Sequence, residues 1–542
     1  MVDRIFFNGT VVTMDPAQPI AAAVAVKGGK IAKLGTGDAI LALRQPETDV
    51  VDLKGAALLP GFIEAHGHPL FSALTWGEPV IDIRAVHTAT YEAALAKIRR
   101  RVAKAKPGEY IMAVGLDPTL HAGMKEPSRD ELDAIAPDNP LSVTLFHFHG
   151  SYLNSKAISA CGLDGQLSPE LDKQVIRDEE GRPWKLVENA SWYARDAFLE
   201  KCGKDRAVRE LRDWLSKYST AGYTTTAEMG MVPEWAGYFD TVRKQETLPI
   251  RIRVYEQGEL DKPYVSTLGS GDDHFRTIGI KFWADGALFL GTAAVSRPYL
   301  NTELTIKKLG LPSDNVGHPT YSRDEQERLM TAAISQGWQL AVHALGDVAI
   351  DTTLDLFEKI FKSYPDANGP CRLEHCMVMK PDQVRRAHEL GLVCSFFNPL
   401  AHFWGDPLRE DLLGHETADA VLPFGTAARI GMRVSYHCDS PVTWPNPMVC
   451  LYFATTRRTQ SGVVIGASER VDIATALKAL TIDAAYHLQM EHLVGSIVEG
   501  KRADFVVLDR SPLSVDLENL REIKVLGTYV DGVRVQSLVE QT

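Results

Sequence analysis

"GFIEAHGHPL" (residues 61–70) places two histidines one residue apart at the end of an apolar run, and the reading of that run decides the fold. As an extended strand, "LLPGFIEAH" (58–66) sends alternate side chains to opposite faces. If the strand continues through them, His66 and His68 project together. Imidazole nitrogen is a preferred zinc ligand. In a chain with sixteen histidines an isolated His-x-His pair carries little weight, so its meaning depends on the ends of the other strands.

Seven further strand-like runs follow: "GYTTTAEM" (222–229), "IRIRVYEQ" (250–257), "IGIKFWAD" (278–285), "WQLAVHA" (338–344), "CRLEHC" (371–376), "LVCSFF" (392–397) and "MRVSYHCD" (432–439). Amphipathic helical stretches lie between several of them, the pattern of parallel β/α architecture. In "SRDEQERLMTAAISQG" (322–337), Ser322 is placed as an N-cap with Glu325 in the capping-box position. Eight such units predict an α/β fold built on a TIM-type (β/α)8 barrel, whose active sites lie at the C-terminal ends of the strands. His343, His375 and Asp439 each stand at such an end, as does the His66/His68 pair. Convergence of four histidines and a carboxylate above one axis fits a metal centre better than a set of hydrogen-bonded core histidines.

The flanks read differently. "RIFFNGTVVTMD", "AAVAVKGGKIAKLG" and "DVVDLKGAALLP" are short β-segments, with a tight hairpin at Gly28-Gly29. The texture returns in "ADFVVLDR" (503–510) and "VLGTYVDGVRVQ" (525–536). Neither piece buries a sheet face alone. The expectation is one small composite β-sandwich, with residues 1–60 and 487–542 flanking a barrel over 61–486. About 150 residues separate the first two barrel strands, against roughly 30 for an ordinary unit. The excess is read as an insertion domain over about 70–205, with strands at "YIMAVGLD" (110–117) and "LSVTLFHF" (141–148) and a helix near 90–105.

A net charge of −12 with no basic run argues against nucleic acid or anionic membrane as a partner. The opening "MVDRIFFNGTVVTMD" lacks the apolar core of a signal peptide, and no apolar run is long enough to span a bilayer. Seven cysteines (161, 202, 371, 376, 394, 438, 450) in no regular framework fit reduced thiols in the cytoplasm, with Cys371 and Cys376 as core residues. A small-molecule substrate is expected, with a homodimer as the default assembly. There is no GxSxG, no GxxxxGK[ST] and no credible GxGxxG, so neither a serine nucleophile nor nucleotide chemistry is indicated.

Across nearly its whole length the chain resembles the amidohydrolase superfamily, in the branch of long-chain members related to N-substituted formamide deformylase. The resemblance rests on "LLPGFIEAHGH", "LFHFHGSYLNSKAI", "GYTTTAEMG", "IKFWADGAL", "WQLAVHALGDVAID", "RLEHC", "CDSPV" and "VGSIVEGKRADFVVLD". It implies one or two divalent metal ions, zinc first among them. It makes His66 and His68 ligands of the more buried ion and His343 and His375 ligands of the second. Lys281 matches a strand-four lysine that is carbamylated in many relatives, turning a cation into a bridging carboxylate; without the resemblance, an ion pair with Asp285 would be its reading. Asp439 becomes both a weak ligand and the group that moves the proton of the attacking water. His149 is implied to face the substrate, against a solvated loop position, and Trp76 and Trp283 wall its pocket unless they serve packing alone. Asp347 orients a ligand or caps a helix, and Glu228 faces the barrel mouth without an assigned role. His437 and Cys438 stand where relatives carry small residues, and Pro69 replaces a larger apolar residue. The implied activity is hydrolysis of a carbon–nitrogen bond in a non-peptide amide. The alternatives are an ester, lactone or cyclic amide, a ring deamination, or a non-catalytic scaffold.

Overall fold

The computed structural model describes residues 2–535 apart from 78, 202, 203, 246, 366 and 368. Its centre is an eight-stranded parallel sheet whose strands neighbour one another in chain order. These are β1 (Phe62–Glu64), β2 (Tyr223–Met231), β3 (Arg251–Gln257), β4 (Phe275–Trp283), β5 (Gln339–Ala344), β6 (Arg372–His375), β7 (Val393–Phe396) and β8 (Val434–Tyr436). Helices follow the strands, as in Asp347–Ser363 after β5 and Pro381–Glu389 after β6. The helix Arg323–Ile334 starts at Ser322 with the full capping box to Glu325. The sheet curls into a nearly closed barrel. Its seam is bridged by a third segment: the Ile63 N–H donates to the Leu480 carbonyl (2.8 Å) and the Tyr436 N–H to that of Ala479 (3.1 Å).

The run 58–66 is not one strand. Ala57–Pro60 pairs with Phe505–Leu508 and with Thr10–Val12 in the terminal β-domain, and only Phe62–Glu64 enters the barrel. Gly61 lies at the crossing. A Cβ there would come within 2.2 Å of the Thr224 side chain, so only glycine lets the chain pass from one sheet to the other.

The terminal β-domain has two sheets. Four strands between Arg4 and Asp52 form one, and six strands drawn from both ends of the chain form the other. Ala23–Lys27 and Lys30–Gly35 make the hairpin, with Gly28 and Gly29 both at positive φ. Between the sheets lie Phe6, Val24, Phe505 and Tyr529, with Phe6 edge-on to both other rings. Residues 536–542, the last of the expected C-terminal β-segment, and Cys202 lie outside the described residues; the six described cysteines are free and buried. The barrel and this domain are tied by Arg251 on β3, fully buried. Its guanidinium takes Asp504 at 2.7 and 3.0 Å and Asp531 at 2.6 Å.

After β1 the chain forms a helix, Pro69–Trp76, and then a six-stranded sheet with its own helices, including Tyr91–Val102. That sheet ends at Val187, and the helix Lys204–Thr220 returns the chain to β2. Among the described residues no helix is long and apolar enough to cross a membrane.

The barrel axis is polar. Tyr255, Gln339, Arg372 and Glu374 form a buried column: Arg372 donates to Tyr255 Oη (3.0 Å) and doubly to Glu374 (2.7 and 3.1 Å), and Tyr255 Oη donates to Gln339 (2.8 Å). Gly279 makes room for the Tyr255 ring, which a Cβ would approach to 2.3 Å. Branched aliphatic layers are the usual filling of such a barrel. Here the interior carries hydrogen bonds that run upward to the site.

Candidate metal centre

β1 ends at Glu64, so the His-x-His pair sits just beyond the strand, and His68 is the residue that precedes the helix Pro69–Trp76. The two rings still converge. His66 Nε2 lies 3.5 Å and His68 Nε2 3.4 Å from Asp439 Oδ1. Pro69 occupies the first helical position, where its missing N–H is no loss. The next free N–H, that of Leu70, donates to Glu228 on β2 (3.0 Å). Glu228 thus has a definite place: it holds the helix start that fixes His68, and burial pushes its carboxyl up to about 8.

His66 is oriented by the barrel column. Its Nδ1 donates to Glu374 Oε2 (2.6 Å), which leaves Nε2 as the acceptor nitrogen. That Nε2 is buried and has no hydrogen-bond partner. Burial first, then the nearby Lys281, pushes the His66 pKa well below its ordinary value, so the ring is neutral and its lone pair available. One ligand-type atom each from His66, His68 and Asp439 lies within 4.8 Å of the others. An unpartnered buried nitrogen beside a carboxylate costs free energy unless another group fills the gap. The donor set fits a divalent cation of the zinc type.

The second half of the set faces the same space. His343 Nε2 donates to the Gly286 carbonyl (3.1 Å), leaving Nδ1 free. His375 Nδ1 shares a hydrogen bond with His437 Nε2 (3.1 Å), leaving its Nε2. The His375 ring centroid is 4.6 Å from both His66 and His343. Burial, as the first cause, holds both His343 and His375 well below the usual histidine range. Strict strand alternation would turn Glu374 and His375 to opposite faces. The left-handed φ of His375 (70°) and of Cys376 (50°) breaks the alternation and lets both side chains reach His66. Asp439 also has a left-handed φ, 52°.

Lys281, at the end of β4, is buried in the same cavity wall, and its Nζ lies 4.7 Å from the Trp283 ring centroid. Burial lowers its pKa to about 8. Asp285 is engaged elsewhere, accepting from the N–H groups of Ala294, Leu345 and Gly346 at 2.8–3.0 Å. For Asp439 burial acts upward, but the His68 hydrogen bond and the neighbouring cationic groups outweigh it, and the carboxyl ends below its ordinary value.

A cavity of about 80 Å3 opens above these groups, lined by His68, Lys281, His343, His375 and Asp439 together with His149, Trp283 and Glu228. His149 is held by Glu188 (Nδ1 to Oε2, 2.7 Å) rather than lying solvated in a loop. Trp76 stands apart from this cavity and lines a second one. Asp347 opens the helix after β5 and takes Ser296 and Lys380, so it pins a neighbouring loop rather than a ligand histidine. Sequence reading missed Glu374, Glu188, His147, Trp192 and Arg195. Of these, His147 lies within the quoted "LFHFHG" run and Glu374 within "RLEHC".

Of the two unusual residues before Asp439, His437 belongs to a second group, with His66 and Glu374, whose ligand-type atoms lie within 4.8 Å of one another, though hydrogen bonds occupy both of its nitrogens. His437 stacks on His66 (ring centroids 4.7 Å) and continues a buried chain downward. Its Nδ1 meets Ser395 (2.8 Å), Ser395 meets Ser435 (2.9 Å), and Ser435 meets His487 Nδ1 (2.9 Å). Cys438 turns away, its sulfur accepting from the Asn446 N–H (3.3 Å) and lying 3.7 Å from Cys450. Burial pushes its thiol pKa up, so it stays protonated.

Similar proteins place this geometry. The chain is 28% identical to N-substituted formamide deformylase of Arthrobacter pascens across 98% of each protein. It is 25% identical to the protein LONG AFTER FAR-RED 3 of Arabidopsis thaliana, covering 98% of this chain and 91% of that one. An uncharacterised metal-dependent hydrolase from Pyrococcus horikoshii shares the fold, with a TM-score of 0.75 at 23% identity over 95% of this chain and 99% of that chain. The family match itself runs over residues 49–536, from the terminal β-domain through the whole barrel and back, and on that span the chain belongs to the amidohydrolase family.

Proposed function

We propose that the protein hydrolyses a carbon–nitrogen bond of a small, non-peptide amide with a divalent metal, zinc by preference, held by His66, His68 and Asp439. The observation that carries this reading is the buried, unpartnered Nε2 of His66 aimed at the same space as His68 and Asp439. His343, His375 and a carbamylated Lys281 would complete a second position. When bound, the cation polarises the substrate carbonyl and acidifies water.

The chain's own groups supply the rest. Asp439 turns Oδ1 toward His66 and His68, while its Oδ2 lies 3.9 Å from His375 Nδ1. Held ionised, it takes a proton from water as the C–O bond forms and returns it to nitrogen as the C–N bond breaks. The products are a carboxylic acid and an amine. Lys281, with its pKa lowered to about 8, has a larger neutral fraction near neutral pH than an ordinary lysine, and that neutral amine adds carbon dioxide and releases one proton.

The test is metal analysis of purified protein, chelation, and readdition of zinc or manganese during an amide-hydrolysis assay. Activity that follows metal content, and falls 10²–10⁴-fold in Asp439→Asn, is expected. Protein that binds no metal and gains no activity from either ion would instead be a scaffold homologue. Retained ester cleavage without amide cleavage would move the reading to esters. For Lys281, labelled carbon dioxide should give a carbamate carbon signal that is absent in Lys281→Arg.

A further inference from the structure

A second chamber of about 520 Å3 adjoins the metal-type cavity, walled by Trp76, Trp404, Trp444, Phe146, Phe403 and Arg84. Three chain segments run from one chamber into the other. The helix Pro69–Trp76 gives Phe71 to the first and Trp76 to the second. Residues 146–149 give His149, Phe148 and His147 to the first and Phe146 to the second. The turn after Asp439 gives Pro441 to the first and Trp444 to the second, and Val442 lines both. The two spaces therefore share a wall only a few residues from Asp439.

The charges in the aromatic chamber are already matched. Arg84 lies 3.6 Å from the Trp76 ring centroid, donates to Asp82 (2.9 Å) and reaches the Pro441 carbonyl (3.3 Å) at the shared wall. Asp117 accepts from Trp404 Nε1 (2.7 Å) and from the Thr119 and Leu120 N–H groups (2.8 and 3.1 Å). Arg84 is therefore already counter-charged, although its Nε and the Trp76 Nε1 are buried without a hydrogen-bond partner; the rest of the lining is mainly aromatic and aliphatic, with His87, Thr443 and Asn446 as its polar members. Such walls favour neutral rings through area burial and ring–ring geometry.

We propose that this chamber is a subsite for a large uncharged aromatic group that the substrate carries a short link away from the hydrolysed bond. The inference rests on the amide-hydrolase reading of the adjoining cavity. Trp444, 42% exposed at the rim, and Trp404, buried in the wall, are its specificity residues.

The experiment has two arms. In the first, metal-loaded enzyme hydrolyses N-(naphthylmethyl)acetamide and N-methylacetamide side by side. The aryl compound should lead in kcat/KM by about tenfold or more, through KM, since burying one ring is worth at least that factor. The lead should shrink toward unity in Trp444→Ala and Trp404→Ala while N-methylacetamide turnover holds. Equal kcat/KM in the wild type, or a lead untouched by both variants, overturns the proposal. In the second arm, calorimetry follows the neutral probe 1-naphthalenemethanol. Saturable binding that weakens in Trp444→Ala supports the subsite, and its absence in the wild type overturns it. If neither amide is cleaved, the hydrolase reading fails, while the probe still decides the chamber. Trp444 lies at the rim, so its variant guards against a folding defect in Trp404→Ala.

Discussion

The interior of the barrel and the interior of the terminal β-domain are packed on opposite principles. The β-domain is filled by Phe6, Val24, Phe505, Tyr529 and their apolar neighbours, which hold it together by area removed from water. The barrel axis carries two buried hydrogen-bonded chains, Tyr255–Arg372–Glu374 and His437–Ser395–Ser435–His487. Burying a charge pair gains little stability over an apolar filling of the same volume. What the axis obtains instead is direction: Glu374 sets the ring of His66, and His437 sets that of His375.

Matched substitutions can break that contrast. Phe505→Ala should cost about 3–5 kcal/mol, with metal stoichiometry in the surviving folded fraction unchanged. Arg372→Met should cost a similar 3–5 kcal/mol, because it strands the buried Glu374 carboxylate, and it should also lower metal content. Thermal midpoints measured beside metal analysis separate the two; equal metal retention in both would erase the distinction. A smaller effect is expected from His437→Ala, a loss of roughly 10–100-fold in metal affinity with little change in melting. Competition with a chelator measures it, and unchanged affinity would remove His437 from the orienting chain.

The smallest effect lies at the join between the two regions. Burial pushes the Asp531 carboxyl up, but His274 and Arg251 together bring it down to about 2. A depressed folded value means a contribution fully present above the unfolded pKa near 3.9 and lost as pH falls through about 2. Asp531→Asn should therefore melt below the wild type at neutral pH, and the gap should close between about pH 4 and 2. A gap independent of pH would assign the contribution to shape rather than charge.

Much of this arrangement was legible in the residues. Six of the eight barrel strands fall within runs marked by apolar and β-branched content, while β2 runs two residues past its run and β4 begins three residues before its own; the five ligand-type residues at their ends do converge. The exceptions have specific physical causes. The run 58–66 looks continuous because periodicity cannot show that Gly61 hands the chain from one sheet to another. Alternation along β6 hides Glu374 as a partner of His66, since only a left-handed φ at His375 lets both side chains turn inward. Trp76, expected beside the metal site, lines a separate chamber instead, one that unites residues from 76 to 449 and that no local pattern can reveal.

The bridged seam between β1 and β8 bears on synthesis. A ribosome must pass residue 480 before the main-chain segment that joins the two edges exists, although every metal-type side chain up to Asp439 has by then been made. One edge of the first barrel strand pairs with β2, but its other edge waits more than four hundred residues for the segment that covers it, and contacts that distant are slow to form. A nascent chain displays its imidazoles well before the segment that bridges the seam has been made.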